Sequence, residues 1–127
     1  MTTVVGDPQV LDRLTELCLA LPETIVDDTQ PPHRGFRVAK KSFAYYAVDG
    51  HDTGSVELGL RTEPRENEAL VASDPGRFSL PKYMARFGWV NSRLDLPGRP
   101  PNWDELHELV LDSYRIQAPK RLAKLVH

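Results

Sequence analysis

The stretch 81–122 constrains the fold more than any other, because it joins a predicted strand to the longest predicted helix. The segment FGWVNSRLD (87–95) alternates as a strand does, and a turn rich in Pro and Gly follows it. The helix predicted over 103–118 has Asn102 as its N-cap and Glu105 three residues later, which is the pattern of a capping box. Its apolar residues recur at helical spacing, so the helix is predicted to bury one face.

Helices are predicted at both ends of the chain. After Asp7 and Pro8, leucines at helical spacing indicate an amphipathic helix that ends near Pro22. Near the other end, Pro119 lacks an N–H group, so it is expected to break the long helix and to begin a short terminal one.

Strands are predicted between these helices. Residues 34–48 indicate a β-hairpin with Lys40 and Lys41 at its turn, and residues 55–61 alternate between apolar and polar side chains. Together with the strand at 87–95, they predict an antiparallel sheet. The fold class is therefore α+β, with N- and C-terminal helices flanking the sheet.

Three shorter stretches are less strongly patterned. Residues 22–33 are acidic and rich in proline, which predicts a loop. Residues 62–73 predict a short helix anchored by Leu70 and Val71, and residues 78–81 a brief extended piece. The predicted core consists of eight side chains on inward stripes: Leu14, Leu17, Phe43, Leu58, Val90, Leu106, Val110 and Tyr114.

Length and composition place the chain among ordinary globular proteins. Its 127 residues predict a single domain over 1–127, and 40% hydrophobic with 27% charged residues is typical of a water-soluble protein. The N-terminus lacks the features of a secretory signal, and no apolar run is long enough to span a membrane. Because Cys18 is the single cysteine, no intrachain disulfide can form, and we expect a cytoplasmic protein. We also expect a monomer.

The sequence gives no support for a catalytic or metal-binding motif. His51 and Asp52 lie in a predicted turn, and no second cluster with ligand spacing accompanies them. Asp27 and Asp28 fit a solvated loop, and Cys18 fits the apolar stripe of the first helix. We therefore predict no enzyme, no metal site and no cofactor.

Charge is distributed unevenly along the chain despite a net charge of −2. Residues 1–28 carry six acids against one base, whereas residues 29–48 and 115–127 each carry four bases and no acid. Such blocks can form a basic patch that attracts phosphates, although they also fit separate solvated turns and helix ends. The predicted nucleic-acid-binding residues are Arg34, Arg37, Lys40, Lys41, Lys82, Arg86, Arg93, Lys120, Arg121 and Lys124.

Alternation in the strand at 87–95 places Phe87, Trp89, Asn91 and Arg93 on one face. An aromatic ring, an amide and a guanidinium on one face of a sheet can contact a nucleic acid. The same pattern also fits a core tryptophan that the arginine covers.

The chain resembles the MmcQ/YjbR family of small bacterial proteins. The residues that carry the resemblance are Gly88-Trp89-Val90, Leu94-Asp95, Trp103-Asp104-Glu105-Leu106, Ser113-Tyr114-Arg115 and Ala118-Pro119-Lys120. The resemblance implies a double-wing α+β fold, related to the frataxin-like architecture, and a DNA-binding role that the family label draws mainly from the fold. It supplies no catalytic residue.

Three functional hypotheses follow. The first is weak and largely non-specific binding of double-stranded DNA through phosphate contacts. The second is a protein-interaction or small-ligand module that uses a cleft between the sheet and the C-terminal helices. The third, by analogy with frataxin-like folds, is iron handling by the acidic first helix, where Asp12 and Glu16 share a face.

Overall fold

Six antiparallel strands form one sheet in the computed structural model of the chain, which describes residues 3–126 apart from the side chain of His51. The strand order is β1-β2-β3-β4-β6-β5, with β1 at Ile25–Asp27, β2 at Arg34–Val38, β3 at Lys41–Val48, β4 at Val56–Arg61, β5 at Phe78–Ser79 and β6 at Trp89–Arg93. The helices are α1 at Pro8–Leu19, α2 at Glu66–Ser73, α3 at Trp103–Gln117 and α4 at Lys120–Ala123. The predicted α+β class is confirmed.

Helix ends follow the local sequence signals. The side chain of Asp7 accepts a hydrogen bond from the N–H of Gln9 (2.9 Å) and caps α1. Asn102 caps α3 in the same way by accepting from the N–H of Glu105 (3.2 Å). Among the described residues, no helix is both long and apolar enough to cross a membrane.

The hairpin between β2 and β3 turns at Ala39 and Lys40, not at Lys40 and Lys41 as predicted. Both turn residues have positive φ angles (49° and 71°), as a tight hairpin turn requires, and Lys41 already begins β3. One residue of β3 is extra in the register, because Phe36 pairs with Ala44 whereas Arg37 pairs with Ser42. This extra residue is a bulge at Phe43.

One face of the sheet carries the core, and α1 and α3 cover it. All eight predicted core residues belong to one hydrophobic cluster, with Leu17 partly buried and the other seven buried. The Phe43 ring packs edge-on against Tyr114 with a centroid distance of 5.3 Å. Phe43 of the sheet and Tyr114 of α3 thus pack directly against each other in the core.

The other face of the sheet is open. Strand register aligns Tyr45, Gly59 and Asn91 in a row across this face, and Tyr45 is 38% exposed. Trp89 lies on the same face and is half-buried, whereas its neighbour Val90 points into the core. The interpretation of Trp89 as a core residue is therefore wrong.

Three predicted boundaries were also wrong. The stretch 22–33 contains β1, whose short apolar run Ile25-Val26 carried too little pattern to predict a strand. The strand predicted over 87–95 begins only at Trp89, since Phe87 ends a 3₁₀ turn at Ala85–Phe87. Helix α2 begins at Glu66. The predicted anchors Leu70 and Val71 are partly buried and pack against the core, and Asn67 is also buried.

Candidate nucleic-acid interface

One end of the sheet, which we call the lysine end, is where β2 turns into β3, β4 ends and β6 begins. The register places Arg61 of β4 beside Trp89 of β6, and Ala44 beside Leu60, so the start of β3 lies at this end. The last residue of α3, Gln117, reaches the same place and donates a hydrogen bond to the carbonyl oxygen of Ser42 (2.9 Å).

All five lysines of the chain occur on segments that reach the lysine end. Lys40 and Lys41 form part of the β2–β3 hairpin. Lys82 follows β5, which is antiparallel to β6 and therefore runs toward the end where β6 begins. The other two, Lys120 and Lys124, follow α3 within seven residues of Gln117. All five are exposed, as is Arg86 in the 3₁₀ turn that precedes β6.

Acidic residues gather at the opposite end of the sheet. They occupy the turn between β3 and β4, the end of β6 and the first turn of α3, and they are Asp49, Asp52, Asp95, Asp104 and Glu105. Two arginines at this end are paired with acids: Arg93 contacts Asp95 (2.9 Å) and Arg99 contacts Asp74 (2.5 Å). The fold therefore gathers at one end the lysines that the sequence carries in separate blocks.

The structure divides the ten predicted binding residues into two sets. Four form a hydrogen bond or an ion pair with another residue of the chain: Arg34 with the Thr15 hydroxyl (3.1 Å), Arg37 with Asp27 (2.8 Å), Arg93 with Asp95 (2.9 Å) and Arg121 with Glu23 (2.7 Å). The other six are Lys40, Lys41, Lys82, Arg86, Lys120 and Lys124. Within residues 3–126, none of these six makes a salt bridge.

Two of the engaged carboxylates have lowered pKa values. Hydrogen bonds from the Arg121 guanidinium hold the pKa of Glu23 below its ordinary value. The pKa of Asp27 is lowered first by a hydrogen bond from the Thr29 hydroxyl, and also by the charge of Arg37. Both acids are therefore ionised at neutral pH and neutralise the arginines they contact.

A shallow groove of about 370 Å³ opens at the lysine end, on the open face of the sheet. Its lining consists of Lys41, Ser42, Arg61, Met84, Phe87, Trp89 and Gln117. Met84 and Phe87 are 45% and 48% exposed, so the groove presents apolar surface to solvent. It thus combines an aromatic surface with two cations.

Arg61 connects the walls of this groove. Its Nε donates to the carbonyl oxygen of Phe87 (3.1 Å), and its guanidinium donates to the side-chain oxygen of Gln117 (2.7 Å). No described carboxylate forms a salt bridge with Arg61. Its charge therefore adds to that of the lysines.

Side-chain hydrogen bonds fix the backbone of the segment that carries Phe87. The Asn67 amide donates to the carbonyl oxygens of Ala85 (2.8 Å) and Trp89 (3.0 Å). The Thr62 hydroxyl donates to the carbonyl oxygen of Gly88 (2.8 Å), which has a φ of 93°. The sequence indicated neither Asn67 nor Arg61 as a site residue, because both roles depend on which elements meet in the folded chain.

A second, smaller cavity of about 170 Å³ lies near the other edge of the open face. It is lined by Asp27, Thr29, Gln30, His33, Arg37 and Tyr45. The Arg37–Asp27 ion pair occupies its charged groups, and Nδ1 of His33 accepts a hydrogen bond from the N–H of Val48 (3.1 Å). Its polar groups are thus largely satisfied within the protein.

Metal binding gains no support from the described residues. They contain no group of three His, Cys, Asp or Glu side chains placed to hold a metal ion. Asp12 and Glu16, the pair considered for iron, are both exposed on α1. Burial raises the pKa of the Cys18 thiol to about 12, so this thiol is neutral and shielded at physiological pH.

Comparison with known proteins agrees with the resemblance seen in the sequence. The family model of YjbR matches residues 19–116. The crystal structure of protein DR2400 from Deinococcus radiodurans, which has a DUF419 domain, is similar with a TM-score of 0.64 and 24% sequence identity. This similarity covers 84% of the present chain and 76% of the D. radiodurans chain, and at such identity it shows the shared fold alone. No curated protein matches the sequence significantly.

Proposed function

The chain belongs to the YjbR family, and from that premise and its charge distribution we propose that it binds DNA weakly, without strong sequence preference, through phosphate contacts at the lysine end. The role is that of a binding protein, with no catalytic step, and the binding unit is the monomer. A single cysteine that needs no oxidising compartment is consistent with a cytoplasmic protein.

One observation carries the proposal. Six exposed cations lie on segments that reach the lysine end, and none of them is paired with a described carboxylate, whereas Arg93 and Arg99 at the acidic end are paired. Positive side chains without partners are those that a polyanion can engage at least cost. The sorted arrangement therefore supports phosphate binding even though the net charge is −2.

Weak affinity follows from the same distribution. Acids such as Glu63 and Glu23 also lie near the lysine end, since Glu63 follows Thr62 and Glu23 holds Arg121. Long-range repulsion by the acidic end opposes the approach of a polyanion. We expect dissociation constants on the order of 10⁻⁴–10⁻⁶ M at physiological salt, the range of non-specific binding.

Fluorescence anisotropy with a labelled duplex, measured at several salt concentrations, tests the proposal. The logarithm of the association constant should fall against log salt with a slope of about −0.9 per phosphate neutralised, or roughly −3.6 for four contacts. The double variants Lys40→Gln/Lys41→Gln and Lys120→Gln/Lys124→Gln should each flatten the slope by up to about 1.8.

The matched control is Arg93→Gln/Arg99→Gln, which removes the same two charges at the acidic end. It should leave the slope unchanged, because only local contacts release counterions. If no binding occurs at about 50 mM salt and about 100 µM protein, the proposal is wrong, since non-specific DNA binding is strongest at low salt.

A protein-interaction module remains the second candidate. It is favoured by exposed apolar side chains on one segment before β6, namely Leu80, Tyr83, Met84 and Phe87. Absence of DNA binding would leave this candidate ahead, and the apolar segment would be the surface to test.

A further inference from the structure

We propose that the groove at the lysine end takes an unpaired nucleobase, so that the protein prefers single-stranded to duplex DNA. The inference rests on the DNA binding proposed above and specifies the form of the ligand. It comes from the groove itself, because phosphate binding by lysines does not require exposed rings.

The apolar surface of the groove fits unpaired bases and not a duplex. Phe87 and Met84 are about half exposed, and Trp89 lies beside them on the open face of the sheet. In a duplex the faces of the bases are stacked on one another, so only phosphates, sugars and base edges meet a protein. Unpaired bases present their faces, and aromatic side chains stack on them whatever the base.

The exposed position of Phe87 is built into the fold. Its own carbonyl oxygen accepts from Arg61, and the carbonyl oxygens of Ala85 and Gly88 accept from Asn67 and Thr62. These bonds fix the backbone on both sides of the ring. A surface that is organised before binding loses little conformational entropy when it binds.

Positive charge beside the rings selects a nucleic acid over an apolar peptide. Lys41 and Arg61 line the groove, and the Arg86 guanidinium lies over the Phe87 ring with its carbon 4.7 Å from the ring centroid. A base would therefore stack on the opposite face of the ring or on the guanidinium plane. A nucleotide brings a flat ring and a phosphate at adjacent positions, which matches this pairing of ring and cation. An acidic protein segment is the competing occupant, and the test separates the two.

The side-chain amide of Gln117 is already engaged within the protein. Gln117 accepts from Arg61 through its oxygen and donates to the carbonyl oxygen of Ser42 through its nitrogen. These two bonds fix the orientation of the amide toward the protein, and the rings remain the main surface that the groove offers to a base. We expect stacking without base preference.

Three labelled probes of equal length test the inference by fluorescence anisotropy at low salt: a single strand of thymidines, the same strand with abasic sites at every position, and a duplex. The single strand should bind at least about fivefold more tightly than the abasic strand, because base stacking accounts for the difference. It should also bind more tightly than the duplex.

Phe87→Ala should reduce the affinity for the thymidine strand to that for the abasic strand, and should leave duplex binding unchanged. Tyr83→Ala is the matched control, since it removes a ring that is 72% exposed on the same segment but does not line the groove. Its affinities should equal those of the wild type.

The outcomes distinguish the two proposals. Equal binding of all three probes would overturn the inference about the groove and leave phosphate binding standing. Binding of none of them would overturn both, and would turn attention to an acidic protein partner. As a second readout, stacking should quench the fluorescence of Trp89 in a Trp103→Phe variant, which retains it as the only tryptophan.

Discussion

The hydroxyl of Ser113 in α3 donates a hydrogen bond to the carbonyl oxygen of Phe43, 70 residues away in the chain, over 2.5 Å. The hydroxyl oxygen of Ser113 in turn accepts a hydrogen bond from the N–H of Arg61 at the end of β4 (2.9 Å). Ser113 is fully buried, so both bonds are shielded from water. One side chain thus joins the helix to the bulge of β3 and to the strand end that carries Arg61.

Replacing Ser113 by Ala should lower the free energy of unfolding by about 1–3 kcal/mol, because buried backbone groups lose their partner. Urea denaturation followed by circular dichroism measures the change. Ser73→Ala is the control, since its hydroxyl donates to Leu70 at an exposed site, and it should stay within about 0.5 kcal/mol of the wild type. If Ser113→Ala also stays within about 0.5 kcal/mol of the wild type, a water molecule has replaced the lost hydroxyl.

Local signals in the sequence were sufficient for the elements of the fold. Asp7 and Asn102 cap helices because the information for a cap lies within three residues. The alternation of β4 is equally local, and Val56, Leu58 and Leu60 are all buried. These features needed no knowledge of tertiary structure.

The candidate site was only partly predictable, because it depends on register. The sequence shows blocks of cations, but only strand pairing shows that Lys41, Arg61 and Trp89 lie at one end. It also cannot show which arginines find acids across the sheet, as Arg37 does with Asp27. The bulge at Phe43 shifts register by one residue, an event without a local signal.

Gly88 should tolerate substitution less well than Gly98, although both have positive φ angles (93° and 70°). At Gly98 a Cβ atom meets open space, so Gly98→Ala should cost about 1–2 kcal/mol through backbone strain alone. At Gly88 a Cβ atom would collide with the backbone oxygen of Thr62, so Gly88→Ala should cost clearly more. Thermal or urea denaturation of both variants measures the difference, and equal losses would show that the 3₁₀ turn shifts freely.

Cys18 should make the protein less stable at alkaline pH. Burial raises the pKa of its thiol from 9.0 to about 12, so the folded state keeps a proton that the unfolded chain releases. This contribution is complete below pH 9 and declines as the pH rises toward 12, by up to about 1.4 kcal/mol per pH unit.

The matched comparison is Cys18→Ala, which lacks the thiol but keeps Tyr46 and Tyr114, whose pKa values burial also raises. Between about pH 8 and pH 10, urea melts should show the wild type losing about 1.4 kcal/mol relative to the variant. Parallel curves would mean that the thiolate is solvated in the folded state.

Glu23 should restrain DNA binding, because its carboxylate takes two hydrogen bonds from the Arg121 guanidinium (2.7 and 3.2 Å). Glu23→Gln keeps the shape of the side chain and removes the charge, which leaves Arg121 available to a phosphate. If the lysine end binds DNA as proposed, this variant should bind more tightly, with a salt slope steeper by about 0.9. Glu57→Gln makes the same change in net charge at the acidic end and should leave the slope unaltered. In the wild type, Arg121 becomes available to a phosphate only when Glu23 is protonated. Because Arg121 lowers the pKa of Glu23, this occurs only as the pH falls through that lowered pKa. An unchanged slope in Glu23→Gln would mean that DNA does not reach α4, and would confine the contacts to the hairpin and the 3₁₀ turn.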